Sequence, residues 1–123
     1  MADKIILIID DDPDILDSVT AILTAKGFKA ITSLSGKEGI ESFKKNKPDL
    51  VLCDMMMESV DEGTKVAQQI RKKDAKVPIY LLSSIGSATA MNVEIGKLGF
   101  NGVFQKPIDP DSLVAAIKKA LTK

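Results

Sequence analysis

Short apolar runs rich in β-branched residues alternate along this chain with segments whose apolar residues recur at helical spacing, and this alternation most constrains the fold. The first run, Lys4 to Ile9, is nearly continuous and is followed by acidic residues, which is typical of a strand buried on both faces. From Pro13 to Gly27 the apolar residues recur every three or four positions, which predicts a helix that ends at a glycine. These two segments form a first β-α unit.

The same unit recurs along the rest of the chain. The patterns predict further strands over residues 28–33, 50–54, 79–83 and 102–105. They predict further helices over residues 35–45, 63–73, 90–98 and from Asp109 to near the C-terminus, with a capping box from Ser35 to Glu38 and with Asp109 as the cap of the last helix. Right-handed crossovers between consecutive strands bury a parallel sheet under helices on both faces. We therefore expect an α/β fold: a flavodoxin-like, doubly wound five-stranded parallel sheet of order 2-1-3-4-5 with five helices.

Length and charge limit the possible classes of protein. The 123 residues are enough for one packed core, so we expect a single domain over residues 1–123. Lysine plus arginine equal aspartate plus glutamate at 17 each, which does not favour nucleic acid or a membrane surface as the partner. The single cysteine and the lack of any apolar run of about 20 residues favour a cytoplasmic location.

Polar residues with distinct chemistry follow four of the predicted strands. The first strand is followed by Asp10, Asp11 and Asp12, and the third ends at Asp54. The fourth ends at Ser83, and the fifth is followed by Lys106. In a doubly wound sheet, ligands bind outside the carboxyl ends of the strands, at the switch between the first and third strands. We therefore expect these residues to lie on one edge of the sheet.

Carboxylates that converge on one edge repel one another unless a cation offsets their charge. Mg²⁺ takes oxygen ligands and typically uses one or two carboxylates together with waters and phosphate oxygens. The sequence predicts a Mg²⁺ site with Asp11 and Asp54 as direct ligands and Asp10 holding a bound water. The backbone carbonyl of Met56 would add a further ligand.

The same constellation suits phosphoryl transfer, which requires a positioned nucleophile and groups that offset the charge on the transferred oxygens. Asp54 would be the nucleophile, and Ser83 and Lys106 would contact the phosphoryl oxygens together with Mg²⁺. The product would be an acyl phosphate, which water cleaves unaided. The chain contains no histidine, so it has neither a Ser-His triad nor a histidine-ligated zinc site.

The chain resembles the response-regulator receiver domains over nearly its whole length. The resemblance is carried by the acidic residues after the first strand, the strand-end aspartate, a glycine in the next loop, the strand-end serine, two glycines before the fifth strand and a Lys-Pro pair: Asp10-Asp11-Asp12-Pro13, Asp54, Gly63, Ser83, Gly99, Gly102 and Lys106-Pro107.

The resemblance implies a role for each matching residue. Asp10 and Asp11 would be the acidic pair, Asp54 the phosphoacceptor, Ser83 the switch hydroxyl and Lys106 the phosphate-sensing lysine. The donor would be the phosphohistidine of a histidine kinase or phosphotransfer protein, the output a contact with a downstream protein, and the chain a monomer or weak homodimer. The family usually places an aromatic three residues before the lysine, where this chain has Val103, and Phe104 would face the opposite side of the strand.

Other functions remain open from the sequence. Asp10 and Asp12 also fit the opening motif of a haloacid-dehalogenase phosphatase, with Asp10 as nucleophile and Asp12 as general acid. A second alternative is an adaptor that keeps the receiver fold but signals without phosphorylation. Flavin binding is disfavoured because an aspartate-rich loop repels a phosphate. For the aspartates after the first strand, the simplest role is capping of the first helix.

Overall fold

The structure is a computed structural model that describes residues 4–54, 62–74, 76–83, 100–105 and 109–121. Its elements in chain order are β1 (Ile5–Ile9), α1 (Pro13–Ala25), β2 (Lys29–Ser33), α2 (Gly36–Asn46), β3 (Leu50–Asp54), α3 (Glu62–Lys73), β4 (Ile79–Ser83), β5 (Gly102–Gln105) and α4 (Pro110–Leu121). These bounds confirm the predicted strands and four of the five predicted helices. The helix predicted over residues 90–98 lies outside the described residues.

All five strands are parallel and form one sheet of order β2-β1-β3-β4-β5, so the predicted doubly wound topology is confirmed. The register aligns the carboxyl ends of the central strands, because Ile9 lies opposite Cys53 and Asp54 lies opposite Leu82. The carboxyl ends of β1, β3 and β4 therefore lie at the same edge of the sheet.

Two apolar clusters fill the space on either side of the sheet because successive strand residues point to opposite faces. Helices α2 and α3 pack against each other over one face, and α1 packs against α4 over the other. The strand residues of the first cluster are Leu7, Ile9, Val51, Cys53, Ile79 and Leu81, and those of the second are Ile6, Ile8, Leu50, Leu52 and Leu82.

The two faces separate Val103 from Phe104, as predicted. Val103 packs against the α2–α3 cluster, and Phe104 packs against the α1–α4 cluster. The Phe104 ring stacks on Tyr80, with ring centroids 5.2 Å apart and planes 23° apart. Phe104 is therefore a packing residue on β5, on the face opposite to Val103.

Side-chain caps begin three of the helices. Asp12 caps α1 by accepting a hydrogen bond from the amide of Asp14 at 2.9 Å. Ser35 caps α2 by accepting from the amide of Glu38 at 3.2 Å, as its sequence motif predicts. Asp109 accepts from the amide of Ser112 at 3.0 Å, and hydrogen bonds from Ser112 hold the pKa of the Asp109 carboxyl below its usual value. These caps fix the residue at which each of the three helices begins.

Arg71 and Asn101 join α3 to the segment that enters β5. The guanidinium of Arg71 donates to the carbonyl of Val77 at 2.6 Å and to Oδ1 of Asn101 at 2.8 Å. The same Oδ1 accepts from the amide of Ile79, the first residue of β4, at 2.9 Å. Partial burial lowers the pKa of Arg71, and the nearby Asp74 opposes that change. One amide oxygen thus holds three segments together.

Asn101→Ala is expected to lower the free energy of unfolding by about 1–2 kcal/mol, because the part-buried amide of Ile79 and the guanidinium of Arg71 lose their shared acceptor. Urea denaturation followed by circular dichroism measures the change. Gln68→Ala, on the exposed side of α3, is the control and should change stability little. Equal stability of the Asn101 variant and wild type would contradict the assigned role.

No helix among the residues that the structure describes is long and apolar enough to cross a membrane.

Candidate phosphoacceptor site

Three carboxylates meet at the sheet edge where β1 and β3 end. Asp10, Asp11 and Asp54 each offer one oxygen, and these oxygens lie within 4.8 Å of one another. Asp10 is fully buried and Asp54 is 6% exposed, whereas Asp11 is exposed. The cluster therefore has two carboxylates set into the protein and one at its surface, which leaves a side open to a ligand from solvent.

The backbone around β1 and β2 fixes the position of Asp10. Its amide donates to the carbonyl of Ser33 at 3.1 Å, so β2 extends its pairing with β1 to the first residue of the site. The Oδ1 atom of Asp10 accepts from the amide of Asp12 at 2.9 Å. This contact orients the Asp10 carboxylate at the turn that leads into α1.

The three consecutive aspartates have different roles. Asp10 and Asp11 belong to the carboxylate cluster, whereas the carboxylate of Asp12 accepts from the amide of Asp14 as the cap of α1. The capping role considered for all three residues thus applies to Asp12. Residue type alone does not distinguish the three, and only the family resemblance assigns Asp10 and Asp11, and not Asp12, to the acidic pair. The backbone contacts of Ser33 and Asp12 to Asp10 are likewise not encoded by any side-chain pattern.

The remaining predicted site residues fall partly outside the described residues. Ser83 is the last residue of β4 and pairs in register with Gln105, the last residue of β5. Lys106 directly follows Gln105 in the sequence, and both Lys106 and Met56 lie outside the described residues. The sheet register therefore brings the end of β4 beside the end of β5, and the described site consists of the three carboxylates.

The donor set of this site is chemically uniform. Three carboxylates present oxygen alone, and the chain has no histidine. Oxygen donors suit hard cations such as Mg²⁺ and Ca²⁺ and are poorly suited to soft metals. The mutual repulsion of the carboxylates would also be relieved by a bound cation. The cluster is therefore capable of binding a metal of this class.

The fold and the site define a class of protein: a doubly wound parallel α/β domain with an acidic cluster at the carboxyl ends of its first and third strands. Residues 6–118 match the protein family described as "Response regulator receiver domain". The chain belongs to this family, and the cluster of Asp10, Asp11 and Asp54 is typical of its phosphoacceptor site.

Curated relatives include longer regulators. The chain is 34% identical over 116 residues to the transcriptional regulatory protein GlrR of Escherichia coli, covering 94% of this chain and 26% of that protein. It is 30% identical over 119 residues to the DNA-binding response regulator MtrA of Mycolicibacterium smegmatis, covering 96% of this chain and 50% of that protein. The chain thus spans only a quarter to a half of the length of these relatives.

Solved receiver domains share the fold closely. A response regulator receiver domain protein from Clostridium thermocellum superposes with a TM-score of 0.86 at 27% identity, covering 96% of this chain and 94% of that one. The receiver domain of NtrX from Brucella abortus superposes with a TM-score of 0.87 at 27% identity, covering 96% of this chain and 99% of that one.

Proposed function

We propose that Asp54 accepts a phosphoryl group in a Mg²⁺-dependent reaction. The single observation that carries this proposal is the cluster of Asp54 with Asp10 and Asp11, whose oxygens lie within 4.8 Å of one another. The proposal extends to Mg²⁺ as the cation, to a histidine kinase or phosphotransfer protein as the donor, and to one domain over residues 1–123. The chain lacks histidine, so the phosphohistidine lies outside these 123 residues.

Each carboxylate has its own part in this proposal. Asp11 and Asp54 would bind Mg²⁺ directly, Asp10 would hold a bound water, and the backbone carbonyl of Met56 would supply a further ligand. When bound, Mg²⁺ offsets the negative charge of the carboxylates and of the incoming phosphoryl group. Burial of Asp54 at the end of a packed strand restricts its carboxylate, which lowers the entropic cost of positioning it as a nucleophile. Ser83 and Lys106 would bind the phosphoryl oxygens.

The transfer is balanced without any further reactant. A carboxylate oxygen of Asp54 forms a bond to phosphorus as the bond from phosphorus to the donor's imidazole nitrogen breaks, and the imidazole then takes up a proton. The acyl phosphate is later hydrolysed by water. The output would be a contact with a downstream protein.

The phosphatase alternative is weakened by the role of Asp12. That reaction needs a general acid two residues after the nucleophile, directed at the substrate. Here the Asp12 carboxylate accepts a hydrogen bond from the amide of Asp14, and Asp12 is not part of the carboxylate cluster. The cluster instead contains Asp54, which the phosphatase motif does not require.

The adjacent pair Asp11 and Asp12 provides a matched test of the metal site. Asp11→Asn is expected to weaken Mg²⁺ binding by about tenfold or more, since even residues that only orient metal ligands contribute this much. Asp12→Asn removes the same charge one residue away, and asparagine still caps a helix, so this variant should bind Mg²⁺ nearly as well as wild type. Isothermal titration with MgCl₂ compares the three proteins. Equal losses in both variants would contradict a specific site.

Intact-mass spectrometry tests the reaction itself. Incubation with acetyl phosphate is expected to add one phosphoryl group to the wild-type chain when MgCl₂ is present and none when EDTA replaces it. A folded protein that binds Mg²⁺ yet gains no mass would favour the adaptor alternative over the proposed function.

A further inference from the structure

We propose that the groove between α2 and α3 is a docking site for an acidic amphipathic helix of a partner protein. The groove lies outside the carboxylate cluster, and its use does not depend on phosphorylation of Asp54. The proposal rests on the shape of the groove, on the charges along it and on the apolar residues at its base.

Two hollows that share Lys44 form this groove. The first has a volume of about 380 Å³ and is lined by residues from both helices: Gly36, Lys37, Ile40, Glu41, Lys44, Lys65, Val66 and Gln69. The second has a volume of about 490 Å³ and is lined by Phe43, Lys44, Lys47, Pro48, Asp49, Lys73 and Asp74. At 1.5 Å per residue the 11-residue α2 extends about 16 Å, so the groove can hold about three turns of a helix.

Positive charge dominates the rim. Five exposed lysines line the two hollows: Lys37, Lys44, Lys47, Lys65 and Lys73. Two of the three lining acids accept hydrogen bonds from backbone amides: Asp49 from Ile5 at 2.8 Å, and Asp74 from Lys76 at 2.8 Å. With Glu41, the described lining therefore has three carboxylates against five lysines and is net positive. The charge of the groove therefore complements a partner rich in glutamate or aspartate.

The base of the groove is apolar. Ile40 is partly buried against the core cluster, whereas Val66 and Phe43 belong to that cluster and are only 1% and 6% exposed, so Ile40 provides most of the apolar side-chain surface at the base. The aliphatic stems of the lysines extend the apolar surface while their ammonium groups stay in water. Such a groove fits a helix that places a narrow apolar stripe at the base and acids on both flanks. A fully acidic peptide without apolar residues would leave Ile40 uncovered.

The helices on the other face of the sheet, α1 and α4, carry negative charge near their N-termini. Asp14 and Asp17 on α1 and Asp109 and Asp111 at α4 are exposed. A second copy of this chain is therefore the competing occupant, and the experiment separates it from a different partner.

NMR titration of the full ¹⁵N-labelled chain tests the proposal with two synthetic helical peptides. Both carry leucines on one face; one has glutamates on the flanks and the other has lysines there. The glutamate peptide is expected to shift amides of α2 and α3, and the shifts should weaken as salt screens the charges. The lysine peptide should shift none of them.

Charge reversal at the rim of the groove tests the proposal, and the same change on α4 is the matched control. Lys37→Glu with Lys65→Glu, both near helix starts where acids are tolerated, should weaken binding of the glutamate peptide by about tenfold. Lys118→Glu with Lys119→Glu makes the same change on α4 and should leave binding within about twofold. Circular dichroism verifies that both variants are folded.

Three results would overturn the proposal. The first is no shift on α2 or α3 at glutamate peptide concentrations up to about 1 mM, the weak end of specific recognition. The second is shifts centred on α1 and α4. The third is concentration-dependent shifts of α2 and α3 in the chain alone that the glutamate peptide fails to displace, which would assign the groove to a second copy.

Discussion

Asp54→Asn is expected to abolish phosphoryl incorporation from acetyl phosphate, with a loss of at least about 100-fold that reaches the background of the assay. The amide of asparagine cannot act as the nucleophile. The other two carboxylates of the cluster, Asp10 and Asp11, follow β1 and do not occupy the position of Asp54 at the end of β3. The fold should remain intact because asparagine has nearly the same size as aspartate. Without Mg²⁺ the variant should be at least as stable as wild type, since the substitution removes one of three mutually repelling carboxylates.

Asp12→Asn is the control for this experiment because it removes an aspartate close to the cluster without changing the cluster itself. It should incorporate the phosphoryl group to the same extent as wild type. Substantial incorporation into the Asp54 variant would contradict the assignment of the acceptor. Failure of both variants would indicate that the substitutions act through the fold.

Gly39→Val is expected to lower the free energy of unfolding by about 3 kcal/mol. Gly39 on α2 lies against Ile9 at the end of β1, and a Cβ atom there would lie 2.7 Å from Cγ1 of Ile9 and even closer to its Cδ1. Ile9 is fully buried in the core cluster beneath α2, so it has little room to move. Because Ile9 directly precedes Asp10, the displacement should also weaken Mg²⁺ binding.

Two further variants separate overpacking from helix propensity. Lys45→Val places the same β-branched residue at an exposed position of α2 and should cost only about 0.5 kcal/mol. Combining Gly39→Val with Ile9→Ala should cost less than the sum of the single changes, because the alanine removes the atoms that collide. Urea denaturation of wild type, the three single variants and the double variant measures both effects, and strictly additive costs would contradict the close packing of Gly39 on Ile9.

The sequence predicts the described architecture well because local pattern and global topology agree. The predicted and observed bounds of β3 are identical at Leu50–Asp54, since Pro48 and the terminal aspartate delimit a purely apolar run. Ser35 and Asp109 can be recognised as caps in the sequence because few residue types have a side chain that accepts a hydrogen bond from the first turn of a helix. The opposite orientation of Val103 and Phe104 follows from strand geometry alone.

Other features depend on contacts between distant segments. The sequence does not show that Gly39 faces Ile9, because a glycine leaves no sign of which side of the helix packs on the sheet. The shared acceptor at Asn101 joins residues separated by 22 and 30 positions, which no local pattern encodes. The equal totals of acidic and basic residues likewise do not show that the fold brings lysines together between α2 and α3.

Locating the phosphoryl group on the wild-type chain tests the central claim most directly. After reaction with acetyl phosphate and Mg²⁺, borohydride reduction converts an aspartyl phosphate to homoserine, which peptide mass mapping assigns to a position. We expect homoserine at position 54 and unmodified aspartate at positions 10, 11 and 12. Homoserine at position 10 would contradict it and would support the phosphatase chemistry instead.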